Sequence, residues 1–486
     1  MSLKSIKLNY FYSLISQVLA LISPFITTPY LSRVLSPEGI GIQSLSGAVA
    51  QYFVMFASMG ISIYGQREIS YHQDDLKART QIFWELKILS LITSVICLVI
   101  YLIFVNLKLR ENYYVIYLIM SLNILGVFLD VSWLFAGMEE FGRLVLRGII
   151  VRIVDITFIF IFVKSPEDLT VYILGTTLIG ISGGLSLFPE LKNFIGWPEW
   201  SSLRPFRNLK VIWALFIPTI AVQVYTVFDK TMLGFFTEGS LENGYYEMSL
   251  RVSRIVLMVV TSLGGVMIPR IGYLFKKGDE AILKEYMYRS YKFVLLLSIP
   301  MCLGLVVVSN NFIVWFLGRD YIQVASLLKI SSFLLIAIGI NNITGVQYLI
   351  PTGRENLFTI SVVIGAVTNF TLNLILINYF KSYGALVASV TAESVIAIYQ
   401  LYKVRKELSI AKIFSSGRNY YLAGLIMFGS IVPLKKLPPS PLNTFIIILL
   451  GALVYCGVLL IFRDEFFIDN SLRALNFLTR KLGLKK

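Results

Sequence analysis

The feature that most limits the fold of this chain is a series of apolar segments, each about 20 residues long, separated by short polar connections. A segment of this length crosses the hydrocarbon core of a bilayer as a helix. Since 56% of the 486 residues are hydrophobic and only 15% are charged, the sequence predicts an all-α polytopic membrane protein. The fourteen predicted transmembrane helices, numbered 1 to 14 in chain order, are 8–31, 40–63, 82–105, 113–136, 145–163, 169–188, 211–236, 246–268, 291–317, 324–350, 357–379, 383–402, 419–437 and 443–462.

The lysines and arginines predict how these helices are oriented. Most of the 43 fall in segments that are cytoplasmic when the N-terminus is placed inside, and few fall in the alternate loops. Cytoplasmic loops carry such an excess, so both termini are predicted to be cytoplasmic. The first apolar run lacks a small-residue cleavage motif and is interpreted as a helix rather than a signal peptide. The net charge of +15 is mostly this inside excess, and it requires no nucleic-acid partner.

Residues for metal, redox or hydrolytic chemistry are few and scattered. Cys97, Cys302 and Cys456 lie in separate apolar runs and are interpreted as small core residues, and the single histidine, His72, lies in a polar connection. No GxxxxGK[ST] phosphate-binding loop occurs in the sequence. We therefore predict no catalytic residue, no metal site and no cofactor.

A weak internal repeat relates the two halves of the chain. EGIGIQSLS (38–46) resembles ENGYYEMSL (242–250), and LFAGMEEF (134–141) resembles LIPTGRENL (349–357), in the same order and at similar spacing. Six helices per half is an even number, so the repeat is predicted to be parallel, with its pseudo-axis along the membrane normal. The predicted divisions are an N-terminal lobe (1–190), a cytoplasmic linker (191–210), a C-terminal lobe (211–405), and helices 13 and 14 with a basic cytoplasmic tail (406–486).

Five charged residues are predicted in the outer half of the membrane. Asp229 and Lys230 lie in predicted helix 7, Arg251 and Arg254 share one face of predicted helix 8, and Arg33 ends predicted helix 1. A charge in hydrocarbon costs roughly 2.5–3.5 kcal/mol on insertion scales, so each requires an explanation. One interpretation pairs Asp229 with an arginine of helix 8 and leaves the cations to bind an anionic headgroup. The alternatives are a purely structural pairing network and, for Arg33, snorkelling to the interface.

A second group of charges is predicted in the inner half. Asp130 lies in predicted helix 4, and Arg152 and Asp155 lie one turn apart in predicted helix 5, where a local ion pair is expected. Glu393 lies in the middle of predicted helix 12 with no partner evident from the sequence. It is interpreted either as a proton or cation site or as a protonated structural residue. We assign all four to charge pairing or gating.

Two prolines occupy matching places in the predicted repeat. Pro24 and Pro218 fall in the middle of predicted helices 1 and 7. Proline interrupts the hydrogen-bond ladder of a helix and permits a bend. Both are predicted hinges, with static kinks as the alternative.

Several of these segments together resemble a known family. They are PFITTPYLSRVLSPEGIGIQSLS (24–46), IYGQREIS (63–70), DVSWLFAGMEEFGRLVLR (130–147) and VFDKTMLG (227–234). They are similar to the polysaccharide-biosynthesis flippases, the Wzx-type branch of the multidrug/oligosaccharidyl-lipid/polysaccharide exporter superfamily. The family's Pro-Tyr-x-x-Arg element falls on Pro29, Tyr30 and Arg33, and its Asp-Lys element on Asp229 and Lys230.

The family's acidic-Trp-Gly-Glu element falls on Asp130, Trp133, Gly137 and Glu139, and the sequence departs from it at Ala136, where a glutamine is expected. That departure removes one polar contact from an inner gate. The resemblance implies two six-helix lobes around a V-shaped cavity.

The resemblance implies a flippase that moves undecaprenyl-diphosphate-linked oligosaccharide units outward for capsule or exopolysaccharide assembly. Arg33, Lys230, Arg251 and Arg254 are the expected ligands of the diphosphate. Expected partners are the lipid-linked substrate, membrane lipids, a polysaccharide polymerase and other assembly proteins, and the expected location is the cytoplasmic membrane of a bacterium. The alternatives are a multidrug exporter of the same superfamily, which would need surplus acid rather than base in its cavity, and a membrane polysaccharide polymerase, which would need a large outer loop.

Overall fold

The computed structural model describes residues 3–109 and 113–481, with side chains described except at 3–21, 217–219, 221–222, 224–226, 265–266, 474–475 and 477–481. These residues form helices and turns with no strand, so the predicted all-α class is confirmed. The α-helices are α1 (Leu3–Ser58), α2 (Ile61–Tyr71), α3 (Leu76–Lys108), α4 (Tyr114–Met120), α5 (Leu122–Leu129), α6 (Ser132–Gly137), α7 (Phe141–Phe162), α8 (Leu169–Leu185), α9 (Leu209–Phe236), α10 (Leu241–Thr261), α11 (Gly264–Lys277), α12 (Glu280–Phe316), α13 (Ile322–Ser331), α14 (Leu334–Asn341), α15 (Glu355–Val404), α16 (Ile410–Ser415), α17 (Arg418–Ile431), α18 (Pro441–Ile461) and α19 (Glu465–Lys481).

The predicted spans correspond to helices, but not one to one. Among the described residues, seven helices are long and apolar enough to cross a membrane, or eight if the bent pair Arg319–Ser331 and Leu334–Leu349 is one span. The predicted number of fourteen is therefore not confirmed. One reason is that α1 and α15 each continue through two predicted spans, with non-helical dihedral angles only locally, at Ser36 (φ 61°) and Lys381 (φ 49°).

The helix α3 shows why the fold requires a lipid environment. Its Ser90 and Ser94 face the protein interior, whereas Ile96, Ile100 and Ile103 are each more than half exposed. Large exposed apolar surfaces mark sites of protein or membrane contact, and here they extend along one face of the helix from Leu91 to Leu107. The chain is a multi-pass membrane protein.

The chain divides into two compact units, with the boundary after Gly244. The first unit contains α1 to α9, so the predicted linker 191–210 and predicted helix 7 both lie inside it. The second contains α11 to α19 and most of α10. The predicted division into two six-helix lobes and two extra helices stays a prediction.

Each unit contains an ion pair at a corresponding place. Arg143, near the start of α7, pairs with Glu190, which follows α8. Arg354, just before α15, pairs with Glu407, which follows α15, at 2.7 Å. In each case the pair links the connection after predicted helix 4 or 10 with the connection after predicted helix 6 or 12. This correspondence is what the predicted repeat leads us to expect.

A reciprocal backbone contact within the first unit also joins residues at corresponding places of the predicted repeat. A Cβ atom added to Gly41 would lie 1.7 Å from the carbonyl oxygen of Ser240, and one added to Gly244 would lie 1.9 Å from that of Pro37. Gly41 and Gly244 are 203 positions apart in the sequence, and so are Pro37 and Ser240. In the repeat, Gly41 corresponds to Gly244 and Pro37 corresponds to Ser240. The contact of Gly41 with Ser240 is therefore matched by the equivalent contact of Gly244 with Pro37, as expected for two segments related by a two-fold axis.

Candidate functional site

A polar seam between α1 and α9, inside the first unit, is the setting of Asp229. Gln51 Nε2 donates to Gln223 Oε1 at 3.2 Å, and the hydroxyls of Tyr52 and Thr231 lie 3.0 Å apart. The carboxylate of Asp229 is close enough to Tyr52 to act on it electrostatically. Asp229 is only 5% exposed, so its charge is held within the protein rather than in bulk water. Amide and hydroxyl pairs of this kind also hold transmembrane helices together.

The neighbouring residue, Lys230, has a different environment. It is half-buried, whereas Asp229 is buried, because adjacent residues on a helix point about 100° apart. Arg254 is exposed. Asp229 and the two arginines of α10 belong to different units, and their predicted pairing stays a prediction.

Arg251 has an acidic neighbour that the sequence analysis missed. Its Nη2 lies 3.3 Å from Glu247 Oε1, one turn earlier on α10, and both side chains are largely buried. The charge of Arg251 also acts on the buried Tyr321. Counting Glu247 changes the predicted outer group from four cations and one anion to four cations and two anions, which reduces the surplus of positive charge. The i, i+4 spacing was the signal that would have revealed Glu247.

In the Pro-Tyr-x-x-Arg element, the tyrosine packs against a neighbouring helix and the arginine is exposed. Tyr30 donates its hydroxyl to the carbonyl oxygen of Val163 at 2.7 Å, and its ring centroid lies 4.4 Å from that of Phe160. Tyr30 thus fixes α1 to the end of α7. Arg33 is exposed, and its Nη1 donates to the carbonyl oxygen of Pro29 at 2.8 Å. Its predicted contact with an anionic headgroup stays a prediction.

The predicted hinges are placed differently from the observed break. Pro24 is half-buried within α1, and the non-helical dihedral angles of that helix fall twelve residues later, at Ser36. Pro218 lies within α9, and its side chain is outside the described residues. The hinge role of both prolines stays a prediction.

Asp130 marks a break between α5 and α6. Its Oδ1 accepts hydrogen bonds from Ser132 N at 2.9 Å and from Ser132 Oγ at 2.5 Å. It also acts electrostatically on the buried Lys87, whose ammonium donates to the carbonyl oxygen of Phe128 and lies 4.2 Å from the Phe128 ring. Asp130 therefore caps the backbone exposed by the break and faces a cation that the sequence analysis had not assigned.

Two of the motifs that carry the family resemblance pack directly on each other. A Cβ atom on Gly65 of α2 would lie 2.5 Å from the ring of Trp133 of α6. A Cβ atom on Gly137 would lie 2.8 Å from Ile69, and Gln73 Nε2 donates to the Gly137 carbonyl oxygen at 2.7 Å. The two glycines are thus required for the close approach of α2 and α6.

The remaining predicted charges lie on α7 and α15. Arg152 and Asp155 are both half-buried on α7, and their predicted ion pair stays a prediction. Glu393 has a partner that the sequence did not reveal. Asn341 Nδ2 donates to Glu393 Oε2 at 2.5 Å and to the Glu393 carbonyl oxygen at 3.0 Å. Asn341 ends α14 where the backbone enters a π-helical turn (Asn342–Leu349), so the amide and the carboxylate meet at a second helix irregularity.

Groups of three or more histidine, cysteine or acidic residues that could hold a metal ion do not occur within the described ranges. The site residues instead present amides, hydroxyls and separated charges. Such a set can bind and exchange polar groups of a ligand by hydrogen bonding and charge.

Comparison with known proteins places these features in a family. The family model described as polysaccharide biosynthesis protein matches residues 6–275. A Shigella dysenteriae protein named as an O-antigen transporter is 27% identical over 393 residues, covering 79% of this chain and 96% of that protein. An Escherichia coli K12 protein of the same name is 24% identical and covers 82% of this chain and 97% of that protein.

Solved structures share the fold. The lipid II flippase MurJ, in an inward closed conformation, matches 94% of this chain and 99% of its own with a TM-score of 0.77 at 17% identity. An inward-facing multidrug resistance transporter of the MATE family matches 81% of this chain and 99% of its own with a TM-score of 0.61 at 15% identity. Since the family model covers more than half of the 486 residues, the resemblance predicted from the motifs is confirmed, and this chain belongs to the polysaccharide biosynthesis protein family.

Proposed function

We propose that this protein is a flippase that moves lipid-linked oligosaccharide units from the inner to the outer face of a bacterial cytoplasmic membrane. The observation that carries the proposal is the similarity to two proteins named as O-antigen transporters, which extends over 96% and 97% of their lengths. Similarity over a whole transporter supports transport as the activity of the whole chain. It also supports a transporter rather than an enzyme, as predicted.

The chemistry of the site suits an amphiphilic anion. The proposed carrier is a polyprenyl diphosphate with about two negative charges, and the exposed Arg33 and half-buried Lys230 are its proposed contacts. The seam amides Gln51 and Gln223 are hydrogen-bonding groups of the kind that bind sugar hydroxyls. With an inside-negative potential, moving two negative charges outward releases roughly 4–5 kcal/mol per 100 mV, which gives the transport a direction.

The predicted alternatives have less support. The MATE transporter shares the fold at 15% identity, which carries no information on what this chain exports. A polymerase has no counterpart among the relatives described above, which are transporters by name. Assembly of capsule or exopolysaccharide, contact with a polymerase, and cytoplasmic placement of both termini remain parts of the proposal.

The proposal is tested in the source bacterium by deleting the gene and complementing it. Deletion should remove a surface glycan and cause its lipid-linked precursor to accumulate, measured by glycan blotting and by mass spectrometry of extracted lipids. Complementation with Arg33→Ala or Lys230→Ala should restore membrane abundance but not full export. Arg319→Ala, which removes an exposed arginine beyond the end of α12, is the matched control and should restore both. An unchanged glycan and no precursor in the deletion strain would refute the proposal.

A further inference from the structure

A cavity of about 1050 Å³ in the second unit is not used by the proposed transport path. It is lined by α11, the start of α12, α16 and α19. We call it the basic cavity because five of its side chains are cationic and three are acidic. The cations are Lys284, Arg289, Lys292, Lys412 and Arg473.

Two of these cations are neutralised by neighbours on α12. Lys284 Nζ lies 3.2 Å from Glu280 Oε2, and Arg289 Nη2 lies 2.7 Å from Glu285 Oε1. Both pairs are i, i+4 pairs on an exposed helix face, where such contacts are common. The remaining charged groups of the lining are the other three cations and the carboxylates of Glu465 and Asp469.

Those three face rings or solvent instead of carboxylates. Lys292 Nζ lies 6.0 Å from the Phe466 ring centroid, and Lys412 Nζ lies 4.5 Å from that of Tyr288. In the described part of the chain, no carboxylate oxygen lies within 4.0 Å of Lys292, Lys412 or Arg473. With Glu465 and Asp469 in the same lining, the cavity holds five cations and three carboxylates, so it keeps a net positive charge that attracts an anion.

Phosphate oxygens accept charge-assisted hydrogen bonds from ammonium and guanidinium groups. A phosphate is therefore an anion that suits the lysines and arginines of this lining.

An apolar cleft of about 410 Å³ adjoins the basic cavity along α12. The basic cavity extends on α12 to Phe293, and the apolar cleft begins at Leu296, three residues or about 4.5 Å further along the helix. On α19, Phe466 lines the basic cavity and the adjacent Phe467 lines the apolar cleft. A soluble anion would use only the first of these spaces, whereas a lipid would use both.

We propose that the basic cavity and the apolar cleft together bind an anionic glycerophospholipid, with its phosphate in the former and an acyl chain in the latter. The predicted topology places α16 and α19 on the cytoplasmic side, so the lipid belongs to the inner leaflet. A polyprenyl phosphate has the same headgroup chemistry, so the test below compares it directly with a glycerophospholipid. The site binds a resident lipid and does not depend on the proposed transport function.

The test measures lipid binding to the delipidated full-length protein by native mass spectrometry. Phosphatidylglycerol should bind at least tenfold more tightly than phosphatidylcholine with the same acyl chains. Lys292→Gln and Lys412→Gln should each weaken phosphatidylglycerol binding about fivefold, the effect of roughly one favourable contact between a cation and an anionic lipid. Lys406→Gln, which removes an exposed lysine outside the cavity, is the matched control and should change nothing.

A second pair of variants tests the apolar cleft. Gly304 lines it, and a Cβ atom there meets nothing within 4 Å, so Gly304→Leu places a larger side chain in the cleft. Gly457 is equally open but does not line the cleft, so Gly457→Leu is the control. Gly304→Leu should weaken binding of the long-chain lipid and leave that of a soluble glycerophosphate unchanged.

Three results would overturn the assignment. They are equal binding of phosphatidylglycerol and phosphatidylcholine, displacement of the lipid by inorganic phosphate at the same concentration, and tighter binding of undecaprenyl phosphate than of phosphatidylglycerol. The second would indicate a soluble anion, and the third a carrier lipid.

Discussion

The substitution Gly41→Ala provides the sharpest test of the helix crossing in the first unit. The new Cβ atom would lie 1.7 Å from the carbonyl oxygen of Ser240, whereas a carbon and an oxygen in contact are about 3.3 Å apart. The obstacle is backbone, so no side chain can rotate away, and the two segments must separate by about 1.5 Å. Overpacking of a tight interior costs about 1–3 kcal/mol and occasionally more. We expect that cost to appear as lower thermal stability or as opening of the crossing.

The matched control is Gly39→Ala, two residues earlier on the same helix. There the new Cβ atom would lie 3.5 Å from Leu35 and 3.8 Å from Leu169, which is ordinary contact. Exchange of glycine for alanine within a helix stabilises it by roughly 0.5–1 kcal/mol, so this variant should be as stable as the parent or more so. Gly244→Ala, which meets the carbonyl oxygen of Pro37, should reproduce the defect of Gly41→Ala.

Two measurements distinguish loss of stability from opening. The first is the melting temperature of the purified protein, which should fall for Gly41→Ala and Gly244→Ala only. The second is the rate at which a thiol reagent modifies Ser240→Cys, because Ser240 is only 3% exposed and becomes accessible if the crossing opens. If Gly41→Ala matches Gly39→Ala in both measurements, the reciprocal crossing is not the close contact described above.

Two further predictions concern ionisable groups. Burial opposes ionisation of Glu407, but the hydrogen bonds from Arg354 and Tyr348 and the nearby positive charges of Arg354 and Lys284 together outweigh it and lower the pKa of that carboxyl. Its stabilising effect is therefore present at neutral pH and is lost as the pH falls below 4.5. The difference in melting temperature between the parent and Glu407→Gln should therefore shrink from pH 7 to pH 4, and a constant difference would contradict it. Asp229→Asn should reduce membrane abundance, since breaking a buried charge pair costs about 3–5 kcal/mol, whereas Lys230→Gln at a half-buried position should leave abundance intact and reduce export. Blots of membrane fractions decide this, with partial recovery in Asp229→Asn/Arg254→Gln supporting the predicted pair and equal losses in both single variants contradicting it.

The helical class and the approximate places of the helices could be predicted from sequence because hydrophobic length is a strong local signal. The positions at which long helices break could not be predicted in this way. Pro24 and Pro29 lie within continuous helix, whereas the break of α1 falls at Ser36. A membrane helix tolerates proline because neighbouring groups satisfy the carbonyl that loses its donor, so a proline in the sequence does not by itself locate a break.

The sequence predicted which charged residues are unusual, but not the side chains with which they form hydrogen bonds or ion pairs. Glu393 was recognised as unusual in an apolar segment, yet its contact with Asn341 spans 52 residues and depends on how α14 packs against α15. Glu247 was missed for a different reason. It lies at the edge of a predicted span, where a charge needs no explanation, although its spacing from Arg251 was visible in the sequence.

The structure gives a packing reason for two glycines of the family motifs. The segments around Gly65 and Gly137 were recognised only as patterns, and the structure explains them by the close approach of α2 and α6 around Trp133. Sequence alone offered no reason for glycine at either position, because each requirement comes from a residue about 70 positions away.

The α1–α9 seam combines polar and apolar contacts, and the two parts differ in what separation of the helices would cost. Beside Asp229 lie two neutral hydrogen bonds, Gln51 to Gln223 and Tyr52 to Thr231, and such bonds within membranes average only about 0.6 kcal/mol. Water would replace each of them at little cost. The rings of Phe56 and Phe216 also pack across this seam, and exposing apolar surface to water costs about 25 cal/mol for each Å². If the seam opens during transport, we therefore expect it to part more easily at its polar contacts than at its aromatic ones.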